Sequence, residues 1–209
     1  MNALVNGAAA QRCADWPALA GAVRGCIACP ELAATRRTVV AGTAPAGAAL
    51  LLIGEAPGAA EDASGVPFVG RSGALLDRLL AEVGLDRAAV AVANVVKCRP
   101  PGNRRPTPAE VQRCRPWLTR QLELVEPVLT VLLGGTALSW VFGRPAQVGR
   151  MRGRPHVVDG RRYLASYHPS AAIRFGPNGA PLASLRSDLA LAAQLLTAPS
   201  CRPPRVSVR

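Results

Sequence analysis

Apolar residues fall along this chain in two rhythms. Continuous runs occupy 48–53 (Ala48-Ala49-Leu50-Leu51-Leu52-Ile53), 90–96 and 128–133, with a shorter run at 163–166. Short runs bounded by Gly, Pro or polar residues predict strands buried on both faces. Between them the spacing becomes helical. Leu75, Leu76, Leu79 and Leu80 share one face of a segment near 71–83, and Trp16, Leu19, Ala22 and Val23 share one face of an earlier segment. Thr107-Pro108-Ala109-Glu110 supplies an N-cap, a Pro at the first helical position and a Glu three residues on, opening a helix that runs to about 125. Strands alternating with helices predict an α/β fold: three layers, α/β/α, around a central four-stranded, mainly parallel sheet. Residues 1–12 read as a flexible N-terminus, 13–198 as one domain, and the Pro- and Arg-rich 199–209 as a disordered basic tail. His156 falls between Arg154 and Asp159 in an expected turn and is assigned no role.

The first buried run opens into Gly54-Glu55-Ala56-Pro57-Gly58, and the loop continues through Glu61, Asp62 and Phe68 to Gly70. Open α/β sheets place their ligands at the carboxyl ends of their strands. Glycines there let a ligand approach the backbone, and Phe68 offers a flat face to an aromatic ring. The second run closes through Asn94-Val95-Val96-Lys97-Cys98 and the fourth leads into Tyr167-His168-Pro169-Ser170, so an amide and an imidazole reach the same crevice. Alone, a strand-end Asn reads as a turn cap and a single His as a satisfied core residue.

Charge narrows the partner. The chain has 209 residues, a formal net charge of +12 and a single lysine, Lys97, among its basic residues. Such a footprint suits a polyanion, because arginine–phosphate contacts release counterions; an arginine-rich genome would give the same composition. No segment approaches the roughly 20 apolar residues of a membrane span, and the N-terminus lacks the pattern of a signal peptide. A cytoplasmic protein is expected, in which six cysteines point to metal or redox chemistry more than to disulfides. Cys26 and Cys29 form a Cys-x-x-Cys pair, which alone could be a redox couple. With Cys98 and Cys114 they make a four-thiolate set, suited equally to a [4Fe–4S] cluster or to tetrahedral zinc. Cys13 and Cys201 read as spare thiols.

Taken in order, these segments resemble the family 4 uracil-DNA glycosylases, the iron–sulfur branch of the uracil-DNA glycosylase superfamily. The resemblance spans about residues 20–195. It rests on the Cys26/Cys29 pair, Gly54-Glu55-Ala56-Pro57-Gly58, Glu61-Asp62 and Pro67-Phe68-Val69-Gly70. Further on it rests on Asn94-Val95-Val96-Lys97-Cys98-Arg99-Pro100-Pro101, Asn103-Arg104, Cys114 and Tyr167-His168-Pro169-Ser170. It implies a monofunctional glycosylase, monomeric, that flips uracil out of single- or double-stranded DNA and hydrolyses the N-glycosidic bond, starting base excision repair. It also implies that Cys26, Cys29, Cys98 and Cys114 hold a structural [4Fe–4S] cluster.

Within that family's pocket Phe68 would stack on the flipped ring and Asn94 would read its edge, with Gly54, Glu55 and Ala56 completing the cradle. His168 would donate to uracil O2 as the base leaves. Ala56 stands where other branches carry an Asp or Asn that positions water. Family 4 shares this lack, which implies a dissociative path. Glu61, then Asp62, and Asn103 are the candidates to hold the water or steady the sugar. DNA contacts are expected from Arg99, Arg104, Arg105, Arg152 and Arg174, with Ile173 as a wedge behind the flipped base. Two rivals remain. One is the superfamily branch that bonds covalently to the sugar, which carries Gln in place of Ala56 and a reactive loop His. The other is a non-catalytic iron–sulfur DNA-binding module.

Overall fold

The computed structural model describes residues 2–143 and 145–197; the expected tail at 199–209 and Cys201 lie outside them. Five strands form one sheet: β1 (Leu50–Gly54), β2 (Ala91–Asn94), β3 (Leu129–Leu133), β4 (Pro155–Val158) and β5 (Arg161–Ser166). Their order is β2-β1-β3-β5-β4. All neighbours run parallel except β4, which pairs antiparallel with β5. The parallel part is the expected four-stranded sheet. The fifth strand, β4, is the departure: it is short and half-exposed, closing a hairpin through Asp159 and Gly160, both at positive φ. His156 lies on this strand, where its Nε2 meets the Met151 carbonyl at 2.7 Å.

The strands bury both faces, as their unbroken apolar runs require. Leu51, Ile53 and Leu132 face one core, shared with α2 (Trp16–Arg24), α6 (Pro108–Val125) and α7 (Gly135–Phe142). Leu50, Leu52, Val131 and Leu164 face the other, against α5 (Arg71–Glu82) and α10 (Ala180–Thr197). Three layers result. The short helices α3 (Pro30–Thr35), α4 (Ala59–Ser64), α8 (Val148–Met151) and α9 (Pro169–Phe175) join them. The expected capping box at the start of α6 forms: Thr107 Oγ1 accepts from the Glu110 amide, and Glu110 Oε2 accepts from the Thr107 amide.

The N-terminus departs from the loose segment expected of it. Residues Asn2–Gln11 form α1, which packs on α6, and the Asn6 side chain donates to the Arg113 carbonyl at 2.8 Å. An Ala-rich helix with little amphipathic pattern gives no periodic signal; tertiary packing makes it. Among the described residues, no helix is long and apolar enough to cross a membrane.

Candidate active site

Four strand ends meet at the carboxyl edge of the sheet, where the order reverses around β1 and β3. They line a cleft with about 1780 Å³ of atom-free space, partly open to solvent. Glu55 and Ala56 follow β1, Asn94 ends β2, Gly134 follows β3, and Tyr167 and His168 follow β5. Phe68 enters from the loop between α4 and α5.

Phe68 is held in a conformation that a bulky residue avoids, φ 55°. Two devices hold it. Glu61 accepts from the Gly58 amide at 3.0 Å and the Gly70 amide at 2.8 Å, pinning both ends of the loop. Gly73, in the first turn of α5, lies so close that a Cβ there would fall inside the Phe68 carbonyl. Each Glu61 oxygen thus accepts one backbone amide and keeps a further lone pair, and the carboxylate lines the cleft. Asp62 lies outside the cleft, accepting from the Arg37 and Thr38 amides.

Asn94 pairs with Gly54 across the parallel ladder. A Cβ on Gly54 would overlap Asn94 Oδ1 and come within 2.7 Å of Phe68 Cζ, so this glycine is what lets the amide and the ring share one wall. Asn94 is 3 % exposed, and its Oδ1 has no hydrogen-bond partner. A buried polar atom left unpaired is costly and points to a missing ligand.

His168 caps α9. Its Nδ1 accepts from the Ser170 amide at 3.1 Å and lies 2.8 Å from Ser170 Oγ. A peptide N–H can only donate, so the proton of the neutral ring sits on Nε2. Burial lowers the imidazole pKa from 6.5 to about 4, against a weaker opposing pull from the Glu61 carboxylate. The ring stands 5.7 Å from that of Phe68, tilted by 36°.

The remaining expected residues divide. Asn103 lines the cleft at a φ of 56°, with its Oδ1 taken by Arg99 Nε at 2.8 Å. Arg104 is an internal brace, bidentate to buried Glu110 at 2.7 and 2.9 Å. Arg152 is likewise internal. It grips the fully buried Asp188 at 2.9 and 3.0 Å, and Asp188 also accepts from Ser166 Oγ. Each spends donors on a buried carboxylate, and Arg104 also lines the cleft with its side chain 35 % exposed. Arg105 and Arg174 are exposed at the cleft. Ile173 is half-buried against the α5/α10 core, whereas Phe175 is 62 % exposed. Sequence reading missed Thr136, whose hydroxyl donates to the Glu55 carboxylate, and Ser170, which sets the His168 tautomer. The Gly134-Gly135 stop after β3 and the Ser after His168-Pro169 were the available signals.

On the opposite face of β2, Cys26, Cys29, Cys98 and Cys114 line one cavity with about 300 Å³ of atom-free space. Among the described residues, no group of three or more His, Cys, Asp or Glu is placed to hold a metal ion. Burial pushes the Cys29 thiol up to about 11 and Cys114 to about 12. Arg36 Nη1 donates to Cys98 Sγ at 3.1 Å, the N–H···S contact that a ligating thiolate uses. Four cysteine donors with a guanidinium partner are chemistry that fits a thiolate-ligated metal centre.

The family model of the uracil DNA glycosylase superfamily matches residues 41–190. A type-4 uracil-DNA glycosylase of Thermotoga maritima is 44% identical over 154 residues, covering 73% of this chain and 80% of that protein. The chain belongs to the uracil-DNA glycosylase superfamily, in its type-4 branch. A second type-4 uracil-DNA glycosylase, from Archaeoglobus fulgidus, is 40% identical, over 72% of this chain and 79% of its own. A type-5 uracil-DNA glycosylase of Thermus thermophilus is 33% identical, over 75% and 87%. The matched span holds all the strands and the whole cleft of this superfamily member, while α1, α2 and the Cys26/Cys29 pair precede it.

Proposed function

We propose that this chain excises uracil from DNA by hydrolysing the N-glycosidic bond, the opening step of base excision repair, with Asn94 and His168 at the base. One observation carries the reading. The unpartnered Asn94 Oδ1, beside the Phe68 ring, is an acceptor waiting for a donor. Uracil N3–H is such a donor, and the Asn94 amide N–H₂ can donate to O4. Cytosine presents an acceptor at N3 and a donor at C4, so both contacts fail.

In the reaction the C1′–N1 electron pair leaves with uracil and spreads onto its carbonyl oxygens. A water oxygen adds to C1′, and its proton passes to solvent. The His168 Nε2–H, fixed by the Ser170 amide, donates to O2 where that charge gathers. Ala56 carries no group to position water, so leaving-group stabilisation by His168 carries more of the barrier than a general base, and Glu61 and Asn103 at the cleft wall hold the water or steady the sugar. Arg105 and Arg174 flank the cleft mouth and suit DNA phosphates.

The test is an oligonucleotide bearing one deoxyuridine, incubated with the protein and run on a denaturing gel with and without alkali. A break at the uracil only after alkali is the expected result. An intact strand would leave the binding-module reading, and a slow protein–DNA band the covalent branch.

The cysteine set is read as holding a [4Fe–4S] cluster, supported by the cavity, the N–H···S contact and the type-4 relatives. Such a group supplies a covalent tie between the segment of Cys26 and Cys29, the strand exit at Cys98 and α6. Anaerobically purified protein is expected to be brown, with iron and acid-labile sulfide in equal amounts; a colourless zinc protein would overturn this.

A further inference from the structure

The one lysine of this chain is 1 % exposed, between the cleft and the cysteine cavity. Lys97 Nζ donates to the Asn94 carbonyl at 2.6 Å and to Gln121 Oε1, and Gln121 Nε2 donates to the Ala41 carbonyl at 2.5 Å. The Lys97 carbonyl accepts from the Val40 amide at 2.8 Å, and Lys97 lines the cysteine cavity together with Cys98 and Cys114. Cys98 follows Lys97 directly.

The Asn94 carbonyl needs this amine for a reason set by topology. β2 is an edge strand. On its open side, Val92 exchanges both backbone hydrogen bonds with Thr43 at 2.8 Å. Two residues on, the Asn94 backbone faces the same side, and the bridge to Thr43 has ended. Lys97 supplies the donor that a neighbouring strand would have given. The Asn94 side chain has no partner on its Oδ1, so its aim depends on how firmly its own peptide is held. An ammonium on a slim stem fits this enclosed position, where the broad fork of arginine needs more room.

We propose that Lys97 is a positioning residue for uracil recognition, fixing Asn94 through its carbonyl and tying that reader to the cysteine cavity through Cys98. The inference rests on the reading of Asn94 given above. It explains why a chain that otherwise uses arginine keeps a lysine here.

The test uses the cluster-loaded full chain and oligonucleotides carrying either one 2′-fluoro-2′-deoxyuridine, whose fluorine blocks cleavage, or an undamaged base. Lys97→Met is expected to weaken binding of the fluorinated uridine strand about tenfold, leaving undamaged-strand affinity and iron content unchanged. Single-turnover cleavage of deoxyuridine should fall by a similar factor, but by less than about twofold when Lys97→Met is added to Asn94→Ala. A full further loss on that background, a parallel loss of undamaged-strand affinity, or no loss at all would overturn the proposal. Should Lys97→Met not fold, Gln121→Leu removes the amine's side-chain acceptor and is judged by the same three outcomes. If the wild-type protein itself does not favour the fluorinated uridine strand, the reading of Asn94 fails and the role of Lys97 falls with it, whereas a wild-type preference that Lys97→Met leaves intact overturns the role of Lys97 alone.

Discussion

His168→Ala is expected to slow single-turnover excision of uracil by about 10²–10³-fold, the loss of about 2.7–4 kcal/mol typical of removing one preorganised donor to a developing anion. DNA affinity should change little, since the imidazole meets the flipped base and not the duplex. The size of the effect follows from preorganisation. The Ser170 amide fixes the tautomer before substrate arrives, so no proton has to move to ready the donor. The pH dependence separates this from catalysis by a charged imidazolium. Burial lowers the His168 pKa from 6.5 to about 4, so the neutral, donating ring persists from neutral pH down to that region. The rate should therefore show no acid limb near pH 6.5 that His168→Ala removes. Observing one would mean that the charged ring is the active form. Stability runs the other way: between about 6.5 and 4 the unfolded chain takes up a proton that the folded chain does not, so the fold weakens as pH falls through that window.

Gly73→Ala carries the second large effect, although the residue touches no substrate. Its Cβ would fall inside the Phe68 carbonyl, a backbone group that cannot rotate away as a side chain would. Either α5 shifts outward and draws its own Leu76 and Leu79, both fully buried, from the core, or Phe68 abandons its left-handed backbone and leaves the cleft wall. Overpacking of this kind costs about 3 kcal/mol, and losing the stacking surface costs about 1–3 kcal/mol of base binding. A urea unfolding midpoint and the deoxyuridine gel measure the two losses. Gly21→Ala in α2 is the control, because nothing lies within 4 Å of its Cβ position. It should leave both readouts unchanged or raise stability by up to about 1 kcal/mol. If Gly73→Ala behaves like the control, Phe68 does not depend on that contact.

How much of this was legible in the sequence depends on how local each signal was. The parallel strands announce themselves because burial on both faces demands unbroken apolar runs. β4 does not: a half-exposed strand has no such run, and only the Asp159-Gly160 pair marks its hairpin. The positions of Asn94 and His168 could be read because strand ends converge wherever a parallel sheet forms, and that of Phe68 because its Gly- and Pro-rich loop opens from the first strand end. Their partners could not. Nothing in a list of arginines distinguishes Arg105, which faces the cleft, from Arg152, whose carboxylate partner is Asp188 on α10. Glu61 could be read as a candidate to hold the water, but its two amide partners, Gly58 and Gly70, are defined only by the fold of the loop.

The buried position of Lys97 also bears on what happens after the base has gone. An abasic sugar opens to an aldehyde, and a primary amine within reach condenses with it as a Schiff base, which can then cleave the strand by β-elimination. Every other basic side chain of this protein is a guanidinium or an imidazole, and neither forms that imine. With its one lysine amine enclosed between Asn94 and Gln121, the enzyme offers no lysine to the product. The expected product is an intact strand with a free aldehyde, its incision left to whatever acts next.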